Sequence, residues 1–225
     1  MDLIVQHWDG RLPKWGAVAR DSMEKYAEAI GADYRMTSGT PFGNKIGPYF
    51  QKLHMLSEEF DGYNNVLLLD MDTVATGVNE DVFNAPGIGV LHDRAMKGAS
   101  RTPAGSPGLY RKGLPVFFGN FIKLDRESRI ALRQHLDIPL FEEEIIDPYA
   151  GDEIGWHYLL YQSGILDGKS YEEICMRCSG ANHEDIHFRE HNRLDRKFCN
   201  MPRDADKDAS LLHFCKSKND ILKFR

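Results

Sequence analysis

The apolar and polar positions of the chain alternate between two periods. Leu3–Trp8 predicts a short strand, which Asp9-Gly10 and Pro13 interrupt. From about Trp15 to Ile30, Val18, Met23, Tyr26, Ala27 and Ile30 recur at helical spacing along one face, and Gly31 stands where a helix takes its C-cap. A second strand is expected near Tyr34–Thr37, then a loop rich in Gly and Pro over Ser38–Pro48. Phe50, Leu53, Leu56 and Phe60 predict a second helix over Tyr49–Phe60, and Asp61-Gly62 leads out of it. Next comes Val66-Leu67-Leu68-Leu69, an unbroken apolar run that predicts a central strand covered on both faces. Strand, helix, strand, helix, strand is the order of an open α/β sheet with parallel neighbours.

Beyond the central strand the pattern weakens. One helical turn is expected over Asn79–Phe83 and a strand over Gly87–Leu91. Asp93–Gly113 has no period and sets Arg94, Lys97, Arg101, Arg111 and Lys112 against a single acid; it reads as a solvated loop or as a basic flap over an acidic ligand. Pro115–Leu124 predicts a buried strand in which Gly119 marks a close approach to the backbone. Asp125 is placed to cap a helix running to Leu136. Glu142–Glu144 reads as solvated, Asp152–Gln162 as a helix with Ile154, Tyr158 and Tyr161 at helical spacing, and Ser210–Cys215 as the last strand. Ser170–Lys207 is polar and rich in His and Cys.

Composition narrows the class. At 225 residues, 42% hydrophobic and 28% charged, the chain can build a sizeable core. Acids outnumber Lys and Arg by 34 to 28, a net charge of -6, which argues against a general nucleic-acid binder. No apolar run reaches the roughly 18 residues of a membrane span, so no membrane insertion is expected. Four cysteines do not make a disulfide scaffold, and a reduced, cytoplasmic and soluble setting follows most simply; a virus-encoded enzyme or an excised catalytic domain fits equally.

Three groups of residues carry candidate chemistry. Asp70 and Asp72 end the central strand two positions apart; on an extended chain they point the same way and converge on one point suited to a divalent cation. Oxygen ligands select manganese or magnesium, and two like charges this close need a cation or a proton between them. The plainer reading is an acidic, solvated turn. Asp152 and Glu153 either complement a helix dipole, at about 0.3 to 1 kcal/mol each, or face a pocket. Cys175 and Cys178, with His183, His187, His191, Cys199 and Cys215, could form a structural zinc site.

Leu69-Asp70-Met71-Asp72 after two strand-helix units resembles the DxD motif of nucleotide-sugar glycosyltransferases of the GT-A fold. Lys52, Leu53, Leu56 and Tyr63 resemble the helix before that motif, Phe117-Phe118-Gly119-Asn120-Phe121 the buried acceptor-side strand, and Asp152-Glu153 an acidic pair opening a later helix. Leu194–Pro202, with Asn200, resembles the segment before the terminal motif. His213-Phe214 with Lys216 and Lys218 resembles the terminal His-Phe motif of the glycogenin and galactosyltransferase-like branch, glycosyltransferase family 8. Lys216 stands where that motif has glycine, and Asn219-Asp220 where it has Pro-Trp.

The resemblance implies a single GT-A (Rossmann-like) α/β domain over residues 1–225, with a mostly parallel central sheet flanked by helices. Residues 1–92 would form a nucleotide-binding half and 93–225 an acceptor-binding half. Asp70, Asp72 and His213 would hold manganese or magnesium. Asp70 and His7 would lie near the nucleotide, Lys216 or Lys218 would meet the diphosphate of a UDP-sugar donor, and Asp152 or Glu153 would orient or deprotonate a carbohydrate acceptor's hydroxyl. The main competing expectation is a haloacid-dehalogenase-type phosphatase with Asp70 as nucleophile and Asp72 as general acid, because Asp70-Met71-Asp72-Thr73-Val74 resembles that motif too. Its motif normally occupies the first strand, whereas two units precede Asp70 here. A sugar-binding module without turnover is the third.

Overall fold

The computed structural model describes residues 1–77, 80–84, 89–92, 117–144, 151–165, 199–200, 210–214 and 218–223. Its main sheet contains β1 (Leu3–His7), β2 (Asp33–Thr37), β3 (Asn65–Leu69), β5 (Gly89–His92) and β6 (Phe117–Asp125), in the order β2-β1-β3-β6-β5. β1 is parallel to β2 and to β3, while β6 is antiparallel to both β3 and β5. Four of the five strands therefore run one way and β6 runs against them, a mostly parallel sheet.

Alternation along the strands sends side chains to two separate cores. Val66 and Leu68 of β3 join Leu3, Val5, Ile122 and Leu124 on one face, and Leu67 and Leu69 join Ile4 and Phe121 on the other. The first face is covered by Phe50, Leu53, Leu56, Phe141, Trp156 and Leu159. Met23, Tyr26 and Ala27 of α1 (Lys14–Ile30) cover the second. The apolar run of β3 is unbroken because both of its faces are buried. α1 ends as its sequence directs: Gly31 takes φ 73°, which lets Ala32 donate to the Ala27 carbonyl at 2.9 Å.

The second covering segment is not the single helix expected over Tyr49–Phe60. It is a 3₁₀ helix over Pro48–Leu56, a break at Ser57 with ψ 148°, and a short 3₁₀ turn over Glu58–Phe60. Phe50, Leu53 and Leu56 recur every three residues, the 3₁₀ period, and the Ser57 hydroxyl caps the second piece by accepting from the Glu59 amide. Downstream, α2 (Arg126–Arg133) is capped by Asp125, whose side chain accepts from the Ser128 amide at 2.8 Å. The acidic run Glu142–Glu144 belongs to a helix, α3 (Ile138–Glu144), whose Phe141 is fully buried against Phe50. α4 (Gly151–Gln162) follows.

β3 covers the expected apolar run Val66–Leu69 but ends there, so Asp70 and Asp72 do not continue it as an extended chain. After Leu69 the chain turns through Asp70-Met71-Asp72, with the Thr73 amide donating to the Asp70 carbonyl at 3.1 Å, and leaves the main sheet. β4 (Thr73–Ala75) then pairs antiparallel with β8 (Leu211–His213), and β7 (Cys199–Asn200) completes a second, three-stranded sheet. A 3₁₀ helix over Lys218–Lys223 anchors Ile221 beside Met71, Val74 and Phe214. Asp93–Gly113 lies outside the described residues. So do Cys175, Cys178, His183, His187, His191 and Cys215, and the side chain of Cys199.

Candidate metal and donor site

Asp70 and Asp72 meet at the carboxyl end of β3, beside the ends of β1 and β2, where ligands collect in open α/β sheets. They are brought together by a turn at the seam between two sheets, not by the two-residue period of a strand. Asp70 continues the Val66-Leu68 side and reaches the layer of the first 3₁₀ helix and α4. Asp72 reaches the second sheet, where Thr73 lies opposite His213. The Phe214 amide donates to the Asp72 carbonyl and the Thr76 amide to the Ser210 carbonyl, each at 2.9 Å, fixing His213 between two backbone bonds.

His213 Nε2 lies 3.1 Å from Asp72 Oδ1 and 3.8 Å from Asp70 Oδ2. One ligand atom from each of the three falls within 4.8 Å of the others. Two carboxylates and an imidazole are a donor set for a hard or borderline divalent ion such as manganese. His213 and Asp72 are nearly buried. Burial works against the Asp72 carboxylate, but His213 and then Lys218 outweigh it and hold its pKa at about 2. Lys218 Nζ is 3.2 Å from Asp72 Oδ2 and 5.2 Å from the centre of the Trp15 ring, which Trp8 meets edge-on.

A second charged group adjoins the first. Lys52, at 7% exposure, places Nζ 2.7 Å from Asp70 Oδ1, 2.7 Å from Asp152 Oδ2 and 2.8 Å from the Gly119 carbonyl. Burial alone would lower its pKa, but Asp152 and Asp70 more than offset that, so the ammonium stays charged. Burial pushes the Asp152 carboxyl up, with Lys52 pulling the other way. One cation shared by two anions leaves the cation over-stabilised and the deeper anion under-compensated. Gly119 has no Cβ because Asp152 and Lys52 fill that space: an added methyl would lie 3.0 Å from Asp152 Cγ and 3.4 Å from Lys52 Nζ.

Gln6, fully buried in β1, donates to the Asp70 carbonyl at 3.0 Å and accepts from the Tyr34 hydroxyl at 2.9 Å, which ties the turn to β2. His7 Nδ1 is 2.9 Å from Thr37 Oγ1, and burial lowers the pKa of its ring. His7 Nε2, Asn120 Oδ1 and His213 Nδ1 are among the seven buried side-chain atoms of the described residues without a hydrogen-bond partner. Of the residues singled out in the sequence, Asp70, Asp72, Asp152, His213 and Lys218 thus form one connected charge cluster, and His7 ends the strand next to β3. Lys216 and the side chain of Glu153 lie outside the described residues. Lys52, Gln6 and Trp15 carry no assigned role in the sequence reading. Lys52 enters that reading only as one of the residues resembling the helix before the DxD motif.

No protein-family model matches the sequence, and no curated protein does. Among solved structures, a glycosyltransferase involved in the glycosylation of the major capsid of PBCV-1 aligns over 99% of this chain and 97% of its own, with a TM-score of 0.53 and 13% identity. An active-site mutant of LgtC covers 100% of this chain and 95% of its own at a TM-score of 0.48 and 14% identity. The galactosyltransferase LgtC in complex with donor and acceptor sugar analogs covers the same shares at 0.45 and 14%. The first shows the fold, and the fold is the mixed α/β GT-A fold. Among the described residues no helix is long and apolar enough to cross a membrane.

Proposed function

We propose that this chain is a metal-dependent glycosyltransferase that moves a sugar from a nucleoside-diphosphate sugar, a UDP-sugar, to a hydroxyl of a glycan acceptor. The observation that carries the reading is the convergence of Asp70, Asp72 and His213 within 4.8 Å at the carboxyl end of the central strand. The GT-A fold makes that the expected place for a donor site. The pairing of the Asp70–Asp72 turn with His213-Phe214 favours the glycogenin-like branch, glycosyltransferase family 8, and with it UDP and manganese.

Asp70, Asp72 and His213 would hold the ion, which when bound neutralises charge developing on the departing diphosphate, an effect of several kcal/mol. Lys218 adds positive charge on that side, and Lys216 is the other lysine that the resemblance offers to the diphosphate. His7 Nε2 and Asn120 Oδ1 are buried polar atoms that a nucleotide's or sugar's hydrogen-bonding groups would satisfy. Lys52 holds Asp152 in one position, so Asp152 acts by orienting the acceptor hydroxyl or the donor sugar, with Glu153 as the neighbouring acid. Residues 1–92 supply the nucleotide-binding half and 93–225 the acceptor-binding half of one catalytic domain.

Calorimetric titration with UDP, with and without Mn²⁺, tests the reading, alongside slow hydrolysis of a panel of sugar nucleotides. Manganese-dependent UDP binding with hydrolysis of one donor supports it and names the sugar. Absence of UDP binding, together with phosphate release from a phosphomonoester, would replace it with the phosphatase reading.

A further inference from the structure

Two lysines neutralise the acids of this cluster, Lys52 beside Asp70 and Asp152 and Lys218 beside Asp72, and they differ in burial. Lys52 is buried and gripped by three oxygens, at 2.7, 2.7 and 2.8 Å. Lys218 is 44% exposed, touches one carboxylate oxygen at 3.2 Å, and rests 5.2 Å from the Trp15 ring centre. Asp72, at 8% side-chain exposure, needs positive charge next to it. A divalent ion held by Asp70, Asp72 and His213 supplies that charge itself and repels an ammonium at the same carboxylate. Lys52 cannot leave without exposing Asp152 to an unpaired burial. Lys218 can leave into solvent.

We propose that Lys218 is a displaceable internal cation. Its ammonium neutralises Asp72 until a divalent ion takes that carboxylate, and this displacement frees Lys218 to bind the donor's diphosphate. Metal and nucleotide binding are then linked through one side chain: the ion releases the lysine, the phosphates capture it, and each tightens the other by the same factor. The displacement rests on the site's geometry alone; the linkage to a diphosphate also rests on the glycosyltransferase reading. A fixed lysine would also weaken metal binding by repulsion, but it would raise nucleotide affinity equally with and without metal. The link to Trp15 supplies a separate readout, since an ammonium leaving an indole face changes that ring's fluorescence.

The experiment compares the wild-type chain with Lys218→Met. Mg²⁺ alone is titrated while tryptophan emission is followed, Mn²⁺ alone is titrated calorimetrically, and UDP is titrated with and without Mn²⁺. Displacement predicts a metal-dependent emission change in wild type that Lys218→Met lacks. It also predicts Mn²⁺ binding about two- to fivefold tighter in the variant, the range expected for removing a partly exposed ion pair. The variant should lose UDP affinity about fivefold with Mn²⁺ present and less than about twofold without it. Equal loss of UDP affinity in both conditions, unchanged or weaker Mn²⁺ binding in the variant, or an emission change that survives the substitution would overturn the proposal. Wild-type protein that shows the metal-dependent emission but binds no UDP would overturn the donor reading and uphold the displacement.

Discussion

Replacing Lys52 with Met is the sharpest perturbation the structure offers. Methionine keeps the length and apolar stem of the side chain and removes only the ammonium. Three acceptors then lose their partner: Asp70 Oδ1, Asp152 Oδ2 and the Gly119 carbonyl. Asp70 is partly exposed and can turn to water, whereas Asp152 is buried. Removing one partner of a buried ion pair typically costs about 3 to 5 kcal/mol, because the other charge is left uncompensated. At about 2 to 4 °C per kcal/mol for a chain of this size, the melting temperature should fall by about 6 to 20 °C. The cost should depend on pH with a definite sign. Burial already raises the folded-state pKa of Asp152, and without Lys52 it rises further. An acid whose folded pKa lies above its unfolded value destabilises the fold as pH rises through that interval, so the variant should recover stability on acidification from neutral pH toward the ordinary carboxylate range. Urea unfolding of wild type and Lys52→Met between pH 8 and pH 5 measures both effects, and Lys52→Met combined with Asp152→Asn should be more stable than Lys52→Met alone at pH 8. A loss below about 1 kcal/mol at pH 8 that does not change with pH would refute the shared-cation account, since that is the range of an ordinary surface pair.

Gly119→Ala should destabilise the chain by about 1 to 3 kcal/mol through overpacking, and in an Asp152→Ala background most of that cost should vanish, as a double-mutant cycle by urea unfolding would show. Gln6→Leu strands the Asp70 carbonyl and the Tyr34 hydroxyl, so a loss of about 1 to 3 kcal/mol with weaker Mn²⁺ binding is expected, read by unfolding and by calorimetry. Asp61 receives two bonds from the Arg133 guanidinium, at 3.1 and 2.8 Å, and these hold its pKa below the usual carboxylate range. The stability they add is present above the unfolded pKa and lost as pH falls through the folded one, so Asp61→Asn should cost about 0.5 to 1 kcal/mol at pH 7 and progressively less in thermal melts below the carboxylate range.

The elements that the sequence revealed are those whose burial leaves a periodic trace. β3 was legible because both faces are covered, and α1 because its apolar face and Gly31 agree. Asp125 announced the start of α2. The 3₁₀ segment was legible as buried but not in type, because Phe50, Leu53 and Leu56 also fit one side of an α-helix; the break at Ser57 shows only in the backbone. α3 escaped because three glutamates outweighed Phe141, although Asp137 and Pro139 give a start signal: Asp137 accepts from the Leu140 amide at 3.0 Å. At the site, Asp70 and Asp72 were readable as a pair by their spacing. The geometry that joins them was not, since it is a turn between two sheets, and Lys52 was unreadable as a partner because its contacts come from three distant segments.

The seam between the two sheets also dictates when the site can come into being. Thr73 and His213 are paired neighbours in space yet are separated by more than half the chain, with β4 and β8 only three residues long each. Contacts of such long sequence separation close late, because the entropy of a large loop must be overcome before a short ladder returns anything. During synthesis the main-sheet strands β1, β2 and β3 can pair well before His213 has emerged, so the early chain carries the two aspartates without their imidazole. His213 joins them last, through the smaller of the two sheets.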